Sequence, residues 1–192
     1  MRKGKKVAED FNFSKENVSQ HSAVDVVRPF ETDRSRQQKL NDFDFKDYEF
    51  PAVSSSLGNE YCKKESVWKH PKDIARVVNF GKYIDPNDLK PGVLSSPHFV
   101  STLSALAEYE ANIKRLIEDQ KANSNGFYLV RLFVNSVWRY IAVDSSLPYI
   151  DGENAGVQSY PESDFELYSA LVEKAYAKVF GSYAVFNALE AR

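Results

Sequence analysis

Apolar residues change their spacing twice along the chain. After Ser96 they recur every three or four positions, at Phe99, Val100, Leu103, Leu106, Ile113, Leu116 and Ile117. That rhythm lays one apolar stripe along a helix. Ser96 is a suitable N-cap. Pro97 suits the first helical position, because its fixed φ is already helical and its missing N–H has no intrahelical partner there. Glu108, Glu110, Lys114, Arg115 and Glu118 fall mostly on the wet side, and Asn123 to Gly126 tolerate the left-handed backbone that ends a helix. The pattern predicts one helix from residue 97 to that stop.

From Phe127 the rhythm becomes that of strands. Phe127 to Val134 and Val137 to Val143 are rich in β-branched and aromatic residues. Asn135-Ser136 between them predicts a two-residue hairpin loop, a weaker signal than Asn-Gly because Ser disfavours φ > 0. Ser163 with Glu166 three residues on reads as a capping box. It predicts a second amphipathic helix through Leu167, Leu171, Val172, Ala175 and Val179, stopped by Gly181. Ahead of residue 97 the chain is irregular and aromatic, with Phe43, Phe45, Tyr48, Phe50 and Pro51 close together. Asp73 to Val78 suggests a short helical turn, and Asp85-Pro86-Asn87-Asp88 a turn. Helix, hairpin and helix amid irregular chain predict an α+β fold rather than a wound parallel sheet.

Composition changes this picture at one end. The chain has 192 residues, 43% of them hydrophobic, which is enough for one domain with a tail. Residues 1–42 hold nine Lys/Arg and seven Asp/Glu with little periodicity, so they read as a polar, flexible leader. Val24, Val26, Val27 and Phe30 form its one apolar island, suited to docking. Residues 43–192 are the globular part. The whole chain is net −2, which argues against a nucleic-acid binder, whose affinity comes from a basic face. One cysteine, Cys62, allows no internal disulfide and fits a reducing compartment. The start lacks the apolar core of a secretory signal, and no apolar run approaches the roughly 18–20 residues of a membrane span. A cytoplasmic protein is expected.

Four segments then bear a resemblance. Phe45-Lys46-Asp47-Tyr48-Glu49-Phe50-Pro51 followed by Ser55-Ser56-Leu57 is similar to F-x-D-x-x-F-P and S-S-L of the calpain family, whose members are papain-like cysteine proteases. Trp68 to Ile74 resembles W-x-R-P-x-D-I, and Gly126 to Asp144 resembles G-x-Y-x-V-R-L-F-x-N-G-x-W-x-x-x-x-V-D. Leu171 to Tyr183 is close to L-L-E-K-A-Y-A-K-x-x-G-S-Y. Four matches in the same order imply the first, helix-bearing subdomain of a calpain-type protease core.

The same alignment implies lost chemistry. The family's active-site segment is Q-G-x-L-G-D-C-W-F-L-S-A-L, and this chain has Pro91-Gly92-Val93-Leu94-Ser95-Ser96-Pro97-His98-Phe99-Val100-Ser101-Thr102-Leu103. Gly92, Leu94, Phe99, Ser101 and Leu103 hold the register. Pro97 therefore stands at the nucleophile position and Pro91 at that of the oxyanion-stabilising Gln. Proline brings no sulfur to be activated at a helix N-terminus. His98 stands where the family has Trp. The family's catalytic His and Asn come from a second subdomain, which would follow Tyr183, beyond most of this chain. The expectation is an inactive protease fold, with the surface around Pro97 and His98 as the site for a protein partner.

Other candidates are weighed on the same terms. A Ser95 or Ser96 pairing with His98 needs a third group to orient the base, and Ser96 is better used as a cap. Cys62 has Lys63 and Lys64 beside it but otherwise reads as an ordinary thiol. The aromatic series Phe127, Tyr128, Phe133, Trp138, Tyr140 and Tyr149 reads first as core or sheet surface and second as a stacking surface for peptide. No cofactor is expected; calcium is the one candidate the resemblance offers, with Asp88 and Glu173 at matching positions and carbonyls from the loop Gly81 to Ile84. Six to eight oxygens are needed, and Glu173 reads equally as a carboxylate paired with a cation or capping a loop. Short calpain-related chains without the cysteine are familiar in flagellated protists, so the resemblance implies a place in a cytoskeletal or flagellar (axonemal) assembly.

Overall fold

The computed structural model describes residues 45–59, 61, 65–75, 78–81, 84–118, 125–159 and 165–185. The leader over residues 1–42, its apolar island, Cys62 and Ser163 lie outside the described residues. Within them, an irregular arm from Phe45 reaches a one-turn helix, α1 (Ser54–Leu57). Then come β1 (Ser66–Lys69), a one-turn helix α2 (Pro71–Ile74) and β2 (Val78–Asn79). The short turn expected over Asp73 to Val78 thus lies earlier, where Pro71 takes the first helical position. Pro86–Asp88 form a 3₁₀ turn capped by the Asp85 side chain, which accepts from the Asn87 N–H at 2.8 Å. β3 (Leu89–Lys90) follows.

The helix predicted from residue 97 starts as expected and then breaks. α3 (Pro97–Ala107) has Pro97 in its first turn, and the Ser96 hydroxyl accepts from the Phe99 N–H at 3.5 Å. Tyr109 is extended, with φ −123° and ψ 99°, and a second helix, α4 (Glu110–Leu116), begins after it. The apolar stripe explains the break. It runs through Phe99, Leu103 and Ala107, and one turn on it meets Glu110. Restarting the helix lets Ile113 turn to the core. Ile117 then leaves the helix to pair with Val130, and the Glu118 N–H donates to the Leu129 carbonyl at 3.2 Å. The stop expected at Asn123 to Gly126 is pre-empted by that tertiary pairing.

β4 (Phe127–Val134) and β5 (Val137–Asp144) form the predicted hairpin, in register from Phe127↔Asp144 to Val134↔Val137. Asn135 and Ser136 both have positive φ, 52° and 63°, as a primed two-residue turn requires. β6 (Leu147–Ile150), β7 (Glu153–Asn154), β8 (Gln158–Ser159) and β9 (Phe165–Glu166) complete the strands. They form two further small sheets, ordered β1-β6-β7 and β2-β9-β8-β3, in which β2 and β9 alone are parallel.

α5 (Leu167–Phe180) ends at Gly181, whose φ of 92° is the left-handed stop that its sequence predicts. Its start differs from the capping-box reading. Glu166 belongs to β9, is fully buried, and its carboxylate accepts from the Ser159 hydroxyl at 3.5 Å. Nor is α5 amphipathic in the sense expected: eleven of its fourteen residues are buried, three charged ones among them. Leu167, Tyr168, Leu171, Val172 and Ala175 join the main apolar cluster with Phe99, Leu103, Tyr128, Val130 and Val143. Ala177 joins a second cluster of Phe50, Leu57, Leu94, Ile150, Ala155 and Tyr183. The mixed α+β architecture is as predicted. Among the described residues no helix is long and apolar enough to cross a membrane.

Candidate functional site

A buried helix with charges on it must find partners for them, because an unpaired ion loses its hydration without replacement. Three charges of α5 therefore organise the chain around them. Lys174 Nζ donates to the Asp144 carboxylate at 2.7 Å, to the Asp144 carbonyl at 3.1 Å and to the Ser146 carbonyl at 2.7 Å. It also stands 5.2 Å above the Trp68 ring. Lys178, one turn on, donates to both Asp47 oxygens and to the Ala142 carbonyl. Asp47 in turn accepts from the Glu49 and Phe50 N–H groups, and its own N–H donates to Asp144 Oδ2 at 3.0 Å. The two lysines thereby pin the arm Phe45–Phe50, the end of β5 and the turn after it to one helix. Burial raises the Asp144 carboxyl, but attraction and hydrogen bonding to Lys174 outweigh it and hold the group below its ordinary value. Burial lowers the Lys174 ammonium, with Asp144 opposing.

Glu173 is the third charge and the least satisfied. Its Oε2 accepts from the Val157 N–H at 2.7 Å, while its Oε1 makes no hydrogen bond. The side chain is fully buried. Burial pushes its pKa up to about 7, and the Val157 N–H and the Ser95 hydroxyl only partly offset this.

Next to Glu173 lies the loop that leads into α3. Leu94 is fully buried, and its N–H donates to the Ala155 carbonyl at 2.7 Å. The Ser95 hydroxyl accepts from the Gly92 N–H at 3.1 Å. A Cβ on Gly92 would sit 2.3 Å from the Ala155 carbonyl oxygen and 2.4 Å from that of Gly156. Gly92→Ala is therefore expected to lift the loop off residues 154–157 and destabilise the protein by about 2–3 kcal/mol, as overpacking against fixed backbone does. Thermal unfolding measures it, and a change under roughly half a kcal/mol would show that the loop is not held there.

The structure sets the sequence candidates in different surroundings. Pro97 is the exposed first residue of α3, with exposed His98 beside it. Pro91 and Val93 are exposed too, Val93 to 52%. Ser96 is buried with its hydroxyl on the helix cap, so it is committed elsewhere than to His98. Ser95 belongs with Gly92 and Glu173. Asp88 is half-buried and, with Glu166 and Asp85, adds to the burial that raises the Tyr168 hydroxyl to about 12. Asp88 thus acts on Tyr168, whereas Glu173 faces Val157 and Ser95. Lys82 and Tyr83, between Gly81 and Ile84, lie outside the described residues. Among the described residues no three His, Cys, Asp or Glu side chains stand together as a metal site. Of the aromatic series, Phe127, Tyr128 and Tyr149 are buried, Tyr140 is half-buried, and Phe133 and Trp138 are exposed.

Sequence reasoning gave Lys174, Lys178, Asp47 and Asp144 no role. The available signal was two lysines one turn apart, with Glu173 the one other charge, on a helix otherwise apolar, aromatic or small.

A small α+β body, closed by a buried helix and presenting one exposed helix N-terminus on a clamped loop, is the class the ordered motifs imply: part of a protease core. The family of calpain cysteine proteases matches residues 45–191. Calpain clp-4 of Caenorhabditis elegans is 30% identical over 84% of this chain and 23% of its own length. The calpain-type cysteine protease ADL1 of Oryza sativa subsp. japonica is 32% identical over 72% of this chain and 7% of its own, and human calpain-7 is 31% identical over 62% and 16%. The chain belongs to the calpain family. It spans less than a quarter of the length of these relatives.

Proposed function

We propose that this chain is a non-catalytic calpain-family module that binds a protein partner through the face around Pro97 and His98. The observation that carries the reading is Pro97 itself. It occupies the first turn of α3, the place where the family alignment puts the nucleophile, and it offers neither a sulfur nor an N–H. The helix geometry that would lower a thiol pKa is kept while the thiol is gone. Pro91, Val93, Pro97 and His98 are all exposed within eight residues of chain, three of them apolar, and exposed apolar side chains gathered in one place mark an interface. The partner belongs to a larger assembly, cytoskeletal or flagellar by family resemblance.

The full chain should leave an unstructured protein substrate uncut in calcium and in chelator. From its own cells it should capture one stoichiometric partner, and Val93→Asp with His98→Glu should lose that partner while circular dichroism stays unchanged. Cleavage of the substrate, or capture indifferent to both substitutions, would overturn the proposal.

A second reading has one observation in its favour, the buried Glu173 Oε1 without a hydrogen bond. In that reading Glu173 and Asp88 supply carboxylate oxygens to calcium, which would act as a conformational ligand. Stability would then rise with calcium concentration by mass action, by about 2.7 kcal/mol at a hundred times the dissociation constant. Asp88→Asn would abolish that rise, whereas a melting temperature indifferent to calcium leaves the scaffold reading alone.

A further inference from the structure

The β4–β5 hairpin has two faces, and the core uses one. Tyr128, Val130, Leu132, Ile141 and Val143 point into the main cluster. The opposite face runs from Phe127 at one end, past Arg131 and its neighbour Tyr140, to Phe133 and Trp138 at the tip. Its near end is covered: the Phe45 ring packs edge-on against Phe127 at 4.7 Å. Its far end is open. Phe133 is 60% exposed and Trp138 53%, with ring centres 5.3 Å apart and the Arg131 guanidinium 4.5 Å above Trp138. Single exposed apolar residues are ordinary; an aromatic pair roofed by a cation is a built platform.

We propose that this platform is the seat of the chain's own segment Val24–Phe30. Three observations select that occupant. The described chain begins on this same face, at Phe45, so what precedes it starts there. The length suffices: six strand positions from Phe127 to Phe133 span about 20 Å, and the roughly fifteen residues from Phe30 to Phe45 reach up to about 50 Å when extended. The chemistry also fits. Val24, Val26, Val27 and Phe30 are the apolar island of the first 42 residues, and Asp25 between the first two valines is opposite in sign to Arg131. Valines and a phenylalanine against two aromatic rings remove apolar surface from water on both sides.

The platform is a different face from that of Pro97 and His98, and its occupation by Val24–Phe30 stands whether or not the other face binds a partner. The test is a photo-cross-linker, benzoylphenylalanine, placed at Phe133 in the full-length chain. Irradiation of a mixture of isotopically light and heavy protein should give a cross-link to the peptide holding Val24–Phe30 of the same molecule. In the full chain carrying Trp68→Phe, which leaves Trp138 as the single tryptophan, Val26→Asp with Phe30→Asp should raise acrylamide quenching and shift Trp138 emission to the red. A light–heavy cross-link, which would mean a second copy, overturns the proposal. So does a cross-link elsewhere in the chain, or quenching unchanged by the two aspartates. The cross-link leaves the core intact, so a folding defect of the Trp68→Phe protein cannot imitate its result.

Discussion

Replacing Lys174 by methionine is expected to cost about 3–5 kcal/mol of folding stability, the range for removing one partner of a buried ion pair. Methionine keeps most of the side-chain volume, so the loss comes from what the ammonium was doing. It holds the Asp144 carboxylate and two backbone carbonyls, all in a space where neither ion is more than 5% exposed. Without it, Asp144 keeps the Asp47 and Ser146 N–H groups, but its charge is uncompensated. Unfolding in urea should show the loss, and the melting temperature should fall by roughly 6–20 °C for a chain of this size. Arginine should not rescue, because its planar fork is larger than a site enclosed on all sides. Adding Asp144→Leu to Lys174→Met should recover part of the loss by removing the stranded charge. A single variant less than about 1 kcal/mol weaker than wild type would mean that the pair is not what ties the end of β5 to α5.

That network also marks the limit of what could be read from the residues in order. The hairpin, the Ser96–Pro97 helix start and the Gly181 stop were legible because each is local, set by a dihedral preference or a cap within a few residues. The break at Tyr109 was half legible, since the stripe meets Glu110. The rest depends on pairing across long separations. β2, β3, β8 and β9 are two residues each, too short to carry a period, and exist because of their partners. Ile117 ends its helix because Val130 is there to pair with. A buried lysine and a surface lysine are the same letter, and Lys178 meets Asp47 from 131 positions away. At the candidate site, the loop Pro91–His98 was located because Gly92, Leu94 and Phe99 set its register against a known pattern. That Gly92 presses on the backbone of Ala155 and Gly156 had no sequence sign.

Glu173→Gln is expected to stabilise the protein at pH 8 in chelator by about 3 kcal/mol, and to leave it nearly unchanged at pH 4. The reason is the carboxyl's rise from 4.5 to about 7 on folding. A raised acid pKa means that the native state binds the proton more tightly than the unfolded chain does. Its contribution is therefore fully present below about pH 4.5 and is lost as pH climbs through about 7, at about 1.4 kcal/mol for each pH step across that window. Glutamine imitates the protonated carboxyl at every pH. Its carbonyl oxygen can accept from the Val157 N–H, and its amide can turn two donors toward the side where Oε1 stands without a hydrogen bond and the Ser95 hydroxyl is near. Comparing the variant with wild type across pH 4 to 8 cancels every other titrating group. The difference should open between about pH 4.5 and 7 and stay level above. A difference flat with pH would mean that Glu173 titrates in the native state as it does in the unfolded chain, so that burial does not raise it. The same series repeated in calcium separates the two readings: the scaffold reading leaves the gap as it is, whereas a cation on Oε1 would stabilise wild type alone and close it.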